Sequence, residues 1–333
     1  MENKTKDTLY CGVNPMAIEN ATPKINHDAL IGLYIYITER YKVHALKDFE
    51  ECPAPWTANE IIANHRFTNV RRELDKQTKW LIENISTNDE LTFKDKVLNT
   101  ILFRLFSKYE TLELIGAPFH WVKDMSKTID MCRAAFAKKE TTNPSYKFFT
   151  TAFFTNGVKG ALSNLEGTHM FPLAVVKYIN RLSKNCVVTS LLSCETQEDA
   201  YKVLRNLPAM GDFIAYQVYV DLTYIPEFPF SENEFTVAGV GCIKGLKYLF
   251  DDFDEMTYEE ALFWLRDNIN DLMVVEGISK NFSKELRQLM VDLPIEERYM
   301  NVMSLENCMC ELGKYMDIVN QVGRPRPKYL GGK

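Results

Sequence analysis

A mainly α fold is predicted by three features of this 333-residue sequence. Apolar residues recur at helical spacing in one segment after another, strand signals are few, and prolines, glycines and candidate caps separate the segments. With neither an internal repeat nor a low-complexity linker, residues 29–319 are expected to form one helical domain, as a single globule or two lobes. An irregular lead-in (1–28) precedes it and a basic tail (320–333) follows.

The first twenty-five residues are polar, with Pro15 and Pro23. From Ala29, "ALIGLYIYITERYKVHAL" carries apolar residues over most of its face and is expected to be a buried helix. The prolines of "CPAPWT" end it, and Thr57 or Asn59 is placed to cap the next segment. In "HRFTNVRRELDKQTKWLIENI", Val70, Leu74, Trp80 and Leu81 mark one stripe of an expected helix. "DKVLNTILFRLFSKYETLELIG" reads as another amphipathic helix, closed near Gly116-Ala117-Pro118, and "WVKDMSKTIDMCRAAFAKKE" follows. The β-branched and aromatic content of "SYKFFTTAFFTNGV" leaves strand and buried helix both open. "FPLAVVKYINRLSKN" and "TQEDAYKVLRNL" read as helices and "EFPFSENEFTVAGVG" as a loop, after which helices resume to about Val319.

Composition narrows the function classes. The chain is 46% hydrophobic and 25% charged, which is ordinary for a globular protein. A formal net charge of -6 excludes a general polycation, so any nucleic-acid contact must come from a local basic face. The eight cysteines include no CxxC pair and no two of the five histidines stand at i, i+4, so no metal site is expected. The start, "MENKTKDTLYCGVNP", is polar, and no apolar run reaches spanning length. The expectation is a protein neither secreted nor in a membrane, with free thiols in a reducing cytoplasm (the host's, if viral) or nucleus. No cofactor is predicted.

The stretch "VLRNLPAMGDFIAYQVYVDL" (203–222) runs a helix into Leu207-Pro208-Ala209-Met210-Gly211 and restarts at once as a more apolar one. So tight a turn is either ordinary packing of a helix pair or a helix-hairpin-helix. The latter holds a nucleic-acid phosphate on turn amides and on the positive end of its second helix. Leu207, Pro208 and Gly211 fit that scheme, whereas Ala209 stands where a glycine is more usual and Asp212 adds a negative charge at the helix start. In base-excision glycosylases of the helix-hairpin-helix class, an apolar helix and a loop with a catalytic aspartate follow. In that register Phe213 occupies the position of the Schiff-base lysine of some members, and the loop offers Glu232 and Glu234 around Asn233.

Four other stretches carry a more specific resemblance: "RFTNVRRELDKQTKWL" (66–81), "ILFRLFSKYETLELIG" (101–116), "FTVAGVGCIKGL" (235–246) and "ENCMCELGKYMDIVNQVGRPRPKY" (306–329). In this order they resemble the helical domain of 5-hydroxymethyldeoxyuridine (5-hmdU) DNA kinases, over residues 30 to 329. That family is related to the α-glutamyl/putrescinyl-thymine pyrophosphorylases, or amino acid:DNA transferases. The resemblance implies a helix-hairpin-helix DNA-glycosylase-like helical fold engaging thymine-like bases of DNA. The implied activity is transfer of an amine or amino acid onto 5-phosphomethyl-deoxyuridine in DNA with loss of phosphate. The alternatives are a glycosylase excising a modified pyrimidine and a non-catalytic DNA-binding partner of a separate 5-hmdU DNA kinase. No GxxxxGK[ST] loop occurs, so the chain is expected to be the helical part standing alone. It departs from the family pattern at Gly239-Val240-Gly241, where Gly-Pro-Gly is usual, at Arg71, where an aromatic is common, and at Asn233, near where an acid is often found.

Candidate site residues follow. Asn69, Arg72 and Asp75, at i, i+3 and i+6, are expected on one helix face. There Arg72 would clamp a phosphate while Asp75 orients it or accepts a proton; a surface ion pair with a cap is the alternative. Arg104, between Phe103 and Leu105, is costly unless paired or facing a cleft, and lining the cleft is preferred to a buried salt bridge. Asp221 is either a base in the pocket or a loop cap. Glu232 and Glu234 are carboxylates for taking the amine's proton, or for stabilising an oxocarbenium-like sugar in a glycosylase. Gly239 and Gly241 suit close backbone approach to a ligand or helix, or a turn. Lys314, Arg324, Arg326 and Lys328 would grip backbone phosphates. "KFFTTAFF" (147–154) is either a base-stacking wall or core.

Overall fold

The computed structural model describes residues 14–150 and 156–323. It is mainly helical, with a single two-stranded sheet among those residues. Two compact units form, one from the chain up to Asp75 and from Glu232 onward, the other from Lys76–Ser231. The first leg carries α1 (Pro15–Asn20), β1 (Lys24–Ile25), α2 (His27–His44) and α3 (Glu60–Asn64). The inserted unit begins with α4 (Lys76–Leu81), α5 (Phe93–Phe106), α6 (Tyr109–Ile115), α7 (Ser126–Thr142) and α8 (Asn156–Glu166). It continues with α9 (Phe171–Leu182), α10 (Val187–Leu192), α11 (Gln197–Arg205) and α12 (Asp212–Leu222). The return leg carries α13 (Val240–Leu249), β2 (Phe250–Asp252), α14 (Tyr258–Val275), α15 (Phe282–Leu289) and α16 (Val302–Val319).

Helix starts are set by short polar side chains. Asn26, Thr92, Thr196, Asn281 and Asn301 each accept a first-turn amide of α2, α5, α11, α15 and α16. Thr257 and Glu260 form a reciprocal capping box on α14. Asn59 caps α3, accepting from Ile61 (3.1 Å) and Ile62 (3.0 Å), while the Thr57 hydroxyl accepts the Asn59 amide. The lead-in is not wholly irregular: Asn14 caps α1, with Pro15 at its first position, and β1 pairs antiparallel with β2.

In the first unit α16 packs against α13, α2 and α14. Leu305, Met309 and Leu312 share a core with Leu30 and Leu33 of α2 and Leu246 of α13. Glycine permits the close approach of α13 to α16: a Cβ on Gly245 would lie 1.9 Å from the Met309 carbonyl oxygen. Gly245→Ala should therefore push the helices apart, lowering stability by about 1–3 kcal/mol in urea denaturation. An unchanged midpoint would contradict that packing. In the second unit α5 is buried from Asp95 to Phe106 and packs against α9 and α12, themselves largely buried.

Two expected helices are broken. Over residues 66–81 only a 3-10 turn (Arg72–Leu74) and α4 are helical, because Arg71 and Asp75 are extended (φ -98, ψ 125 and φ -71, ψ 137). The Arg71 side chain is held by Glu73 and by the carbonyls of Glu297 and Tyr299, and these tertiary bonds override the helical period. Ser107, left-handed at φ 50, separates α5 from α6, and its hydroxyl donates to the Arg104 carbonyl (2.7 Å). Gly116, at φ 77, ends α6 where an end was expected. Residues 143–150 are neither strand nor helix but turn and bend. Residues 151–155 of the aromatic stretch, and Arg324, Arg326 and Lys328 of the tail, lie outside the described residues.

Candidate functional site

The turn between α11 and α12 is open to solvent. Pro208 and Gly211 are exposed, Leu207 and Ala209 are half-buried, and a Cβ on Gly211 would meet nothing within 4 Å. Ala209 adopts the left-handed conformation (φ 64) that favours glycine, and the Met210 amide donates to Leu207 (3.1 Å) to close the turn. Tyr178 holds the Pro208 carbonyl from below at 2.8 Å. Asp212, at the start of α12, is paired with Arg205, whose hydrogen bond holds its carboxyl below the usual range. The second unit thus presents backbone at a helix start whose one acid is locally neutralised.

Arg104 and Asp221, also in the second unit, face each other. Two hydrogen bonds of 2.7 and 2.8 Å join the guanidinium and carboxylate, which are 4% and 0% exposed. This corrects the preference for Arg104 in a cleft: it makes the buried bidentate salt bridge. Asp221, expected as a pocket base or loop cap, is the other half of that pair.

In the first unit, arginines and carboxylates from four segments converge. Arg71 donates to Glu73 (2.6 Å) and to the carbonyls of Glu297 (3.0 Å) and Tyr299 (2.9 Å), and lies 3.8 Å from Glu232. Glu232 accepts in turn from Asn301, the cap of α16. The Asn233 side chain accepts the Val302 amide (2.9 Å) at the first position of α16, and its carbonyl accepts from Arg266 (3.0 Å). The loop at 232–234 is thereby docked on the start of α16, with Glu234 half-buried on it.

Asn69 and Asp75 meet, though not on a helix face. Asp75 accepts the Asn69 amide (3.1 Å) and the Asn69 side chain donates to the Leu74 carbonyl (3.0 Å), closing a loop. Burial raises the Asp75 pKa against the opposing pull of the Asn69 amide, Arg40 and Arg72. Asn69 Oδ1 and Arg40 Nη1 are buried without a hydrogen-bond partner, an uncommon condition in a folded protein.

Sequence reasoning passed over Glu306, on the second turn of α16. It is 4% exposed and accepts the backbone amide of Gly239, the cap residue of α13. Burial pushes its pKa up to about 7, against the Gly239 hydrogen bond and the field of Arg72. Two carboxylates raised by burial therefore lie in the field of one arginine, and an acid near 7 exchanges protons readily at neutral pH. A signal was present: Glu306 shares a helical stripe with Val302 and Met309, as Arg40 does with Tyr36 and Ile37.

The remaining candidates have structural settings. Gly241 faces α16, where a Cβ would lie 3.1 Å from Cys310 Sγ, so its close approach is to a helix. Lys314 is half-buried, pairs with Glu311 (2.7 Å), donates to the Arg66 carbonyl (2.7 Å) and lies over the Phe67 ring. Its expected phosphate grip gives way to these internal bonds. Burial pushes the thiols of Cys242, Cys308 and Cys310 up, away from thiolate chemistry. Among the described residues no group of three or more His, Cys, Asp or Glu is placed to hold a metal, and no helix is long and apolar enough to cross a membrane.

The family model of the 5-hmdU DNA kinase helical domain matches this chain over residues 28–323. The chain belongs to that family. The resemblance carried by the four sequence blocks is borne out, and this helical-domain chain keeps Arg40, Asn69, Arg72, Asp75, Glu232, Glu234 and Glu306 inside the matched span. Arg324, Arg326 and Lys328 fall beyond it. A curated relative, the 5-hmdU DNA kinase of Bacillus phage SP10, is 25% identical over 299 residues, covering 85% of this chain. The helical-domain chain spans 44% of that relative's length. No solved structure matches it.

Proposed function

We propose that the protein is a DNA hypermodification enzyme that transfers an amine or amino acid onto 5-phosphomethyl-deoxyuridine in DNA, with loss of phosphate. What supports this reading is the family match over residues 28–323 together with two buried carboxylates, Asp75 and Glu306, that both lie in the field of Arg72. The amine nitrogen attacks the exocyclic methylene carbon on the base. The carbon–oxygen bond to the phosphate breaks, phosphate leaves with the bonding electrons, and the amine's surplus proton passes to a carboxylate. Glu306 is the best-tuned acceptor, with Asp75 and Glu234 as the other acids of the site. Arg72 neutralises the departing phosphate. The turn at 207–211 would hold the DNA backbone by its amides, and extruding the target nucleotide would cost a few kcal/mol.

The test uses DNA containing 5-phosphomethyl-deoxyuridine, incubated with the protein and amines, then digested to nucleosides for mass spectrometry. An amino-substituted thymidine together with released phosphate is the expected result. Abasic sites would replace this reading with a glycosylase. DNA binding with neither product would leave a non-catalytic partner of a separate 5-hmdU DNA kinase.

A further inference from the structure

We propose that a groove in the first unit, between α14 and α15, binds the co-substrate and selects an amino acid with a free carboxylate over a polyamine. This rests on the transferase reading above and specifies its amine. The groove has a volume of about 480 Å³, within the range of small-molecule sites. Arg266, Arg287 and Arg298 line it, with Asp267 as the one acid among the described lining residues. This local excess of positive charge lies in a chain whose formal net charge is -6.

The three arginines are held differently. Arg266 is paired bidentately with Asp267 at 2.7 and 3.0 Å and donates to the Asn233 carbonyl. Arg298 donates to three backbone carbonyls, those of Leu293 (2.7 Å), Arg287 (3.3 Å) and Val291 (3.0 Å), which fix its guanidinium without neutralising its charge. Arg287 is exposed and makes no ion pair among the described residues. A fixed cation and an unpaired one beside it suit a carboxylate. Phe282 and Leu286 supply apolar wall for a short side chain. A diamine, cationic at both ends, would meet repulsion in the same space.

The groove also adjoins the candidate site. Asn233 lines it and holds the start of α16, and Tyr299 lines it while its carbonyl accepts from Arg71.

The experiment is calorimetric titration of the full chain, without DNA, with glycine, glutamate, inorganic phosphate and putrescine. Saturable binding of an amino acid and none of putrescine is expected. Arg287→Glu should weaken that binding roughly tenfold or more by placing like charges together. Ser283→Asp, at the exposed start of α15 where an acid suits the helix, should do the same with the fold intact by circular dichroism. Putrescine binding as tightly as the amino acids, phosphate binding more tightly than either, no saturable amino-acid binding, or variants that bind unchanged would each overturn the proposal. Because DNA is absent, a failed transfer assay with amino-acid binding intact would sink the transferase reading alone.

Discussion

Glu306→Gln should sharply reduce transfer while making the protein more stable at neutral pH. The folded-state pKa of about 7 lies above the ordinary glutamate value, so the folded protein holds this proton more tightly than the unfolded chain does. The sign follows from linkage. Below the unfolded pKa both states are protonated and nothing is lost. As pH rises from there through about 7 the folded state is progressively penalised, and above it the full cost, on the order of 3 kcal/mol, applies. Glutamine keeps an oxygen for the Gly239 amide and carries no charge, so it escapes the penalty. Thermal unfolding at pH 4 should show little difference between variant and parent, with the variant's midpoint higher at pH 8. Nucleoside mass spectrometry should show transfer reduced by about 10²–10⁴-fold, the usual contribution of a positioned base. A variant that remains active would remove Glu306 from the chemistry.

Asp221→Asn should be among the most damaging substitutions in the second unit. It leaves the Arg104 guanidinium, 4% exposed, without its counter-charge. Breaking one side of a buried ion pair lowers stability by about 3–5 kcal/mol, read as a shift in the urea midpoint. The double replacement Arg104→Met with Asp221→Leu should recover most of that loss, since two apolar side chains do not need each other's charge. Transfer per folded molecule should be unchanged in the double variant. Normal stability of Asp221→Asn with transfer lost would instead return Asp221 to the role of pocket base.

Much of the helical layout is legible in the sequence because it depends on period and caps. Asn59, one of the two residues placed to cap the segment after "CPAPWT", caps α3. The breaks at Arg71 and Ser107 are not legible in the same way. Arg71 leaves the helix for carbonyls more than two hundred residues away, at Glu297 and Tyr299, and no window of local sequence contains them. Arg104 illustrates the same limit for function: its cost in an apolar helix is readable, but its partner lies 117 residues on. Asn69, Arg72 and Asp75 are legible as a group and converge by a loop instead of a helix face. Glu306 and Arg40 each look like one charge interrupting an apolar stripe. Only the packing of α16 and α2 shows that those stripes are the buried faces.

The decisive measurement is the titration of the Glu306 carboxyl carbon by NMR in the full-length protein, assigned by comparison with Glu306→Gln. A midpoint near 7 is expected. A midpoint in the ordinary carboxylate range of about 4 to 4.5 would contradict a buried base at this position.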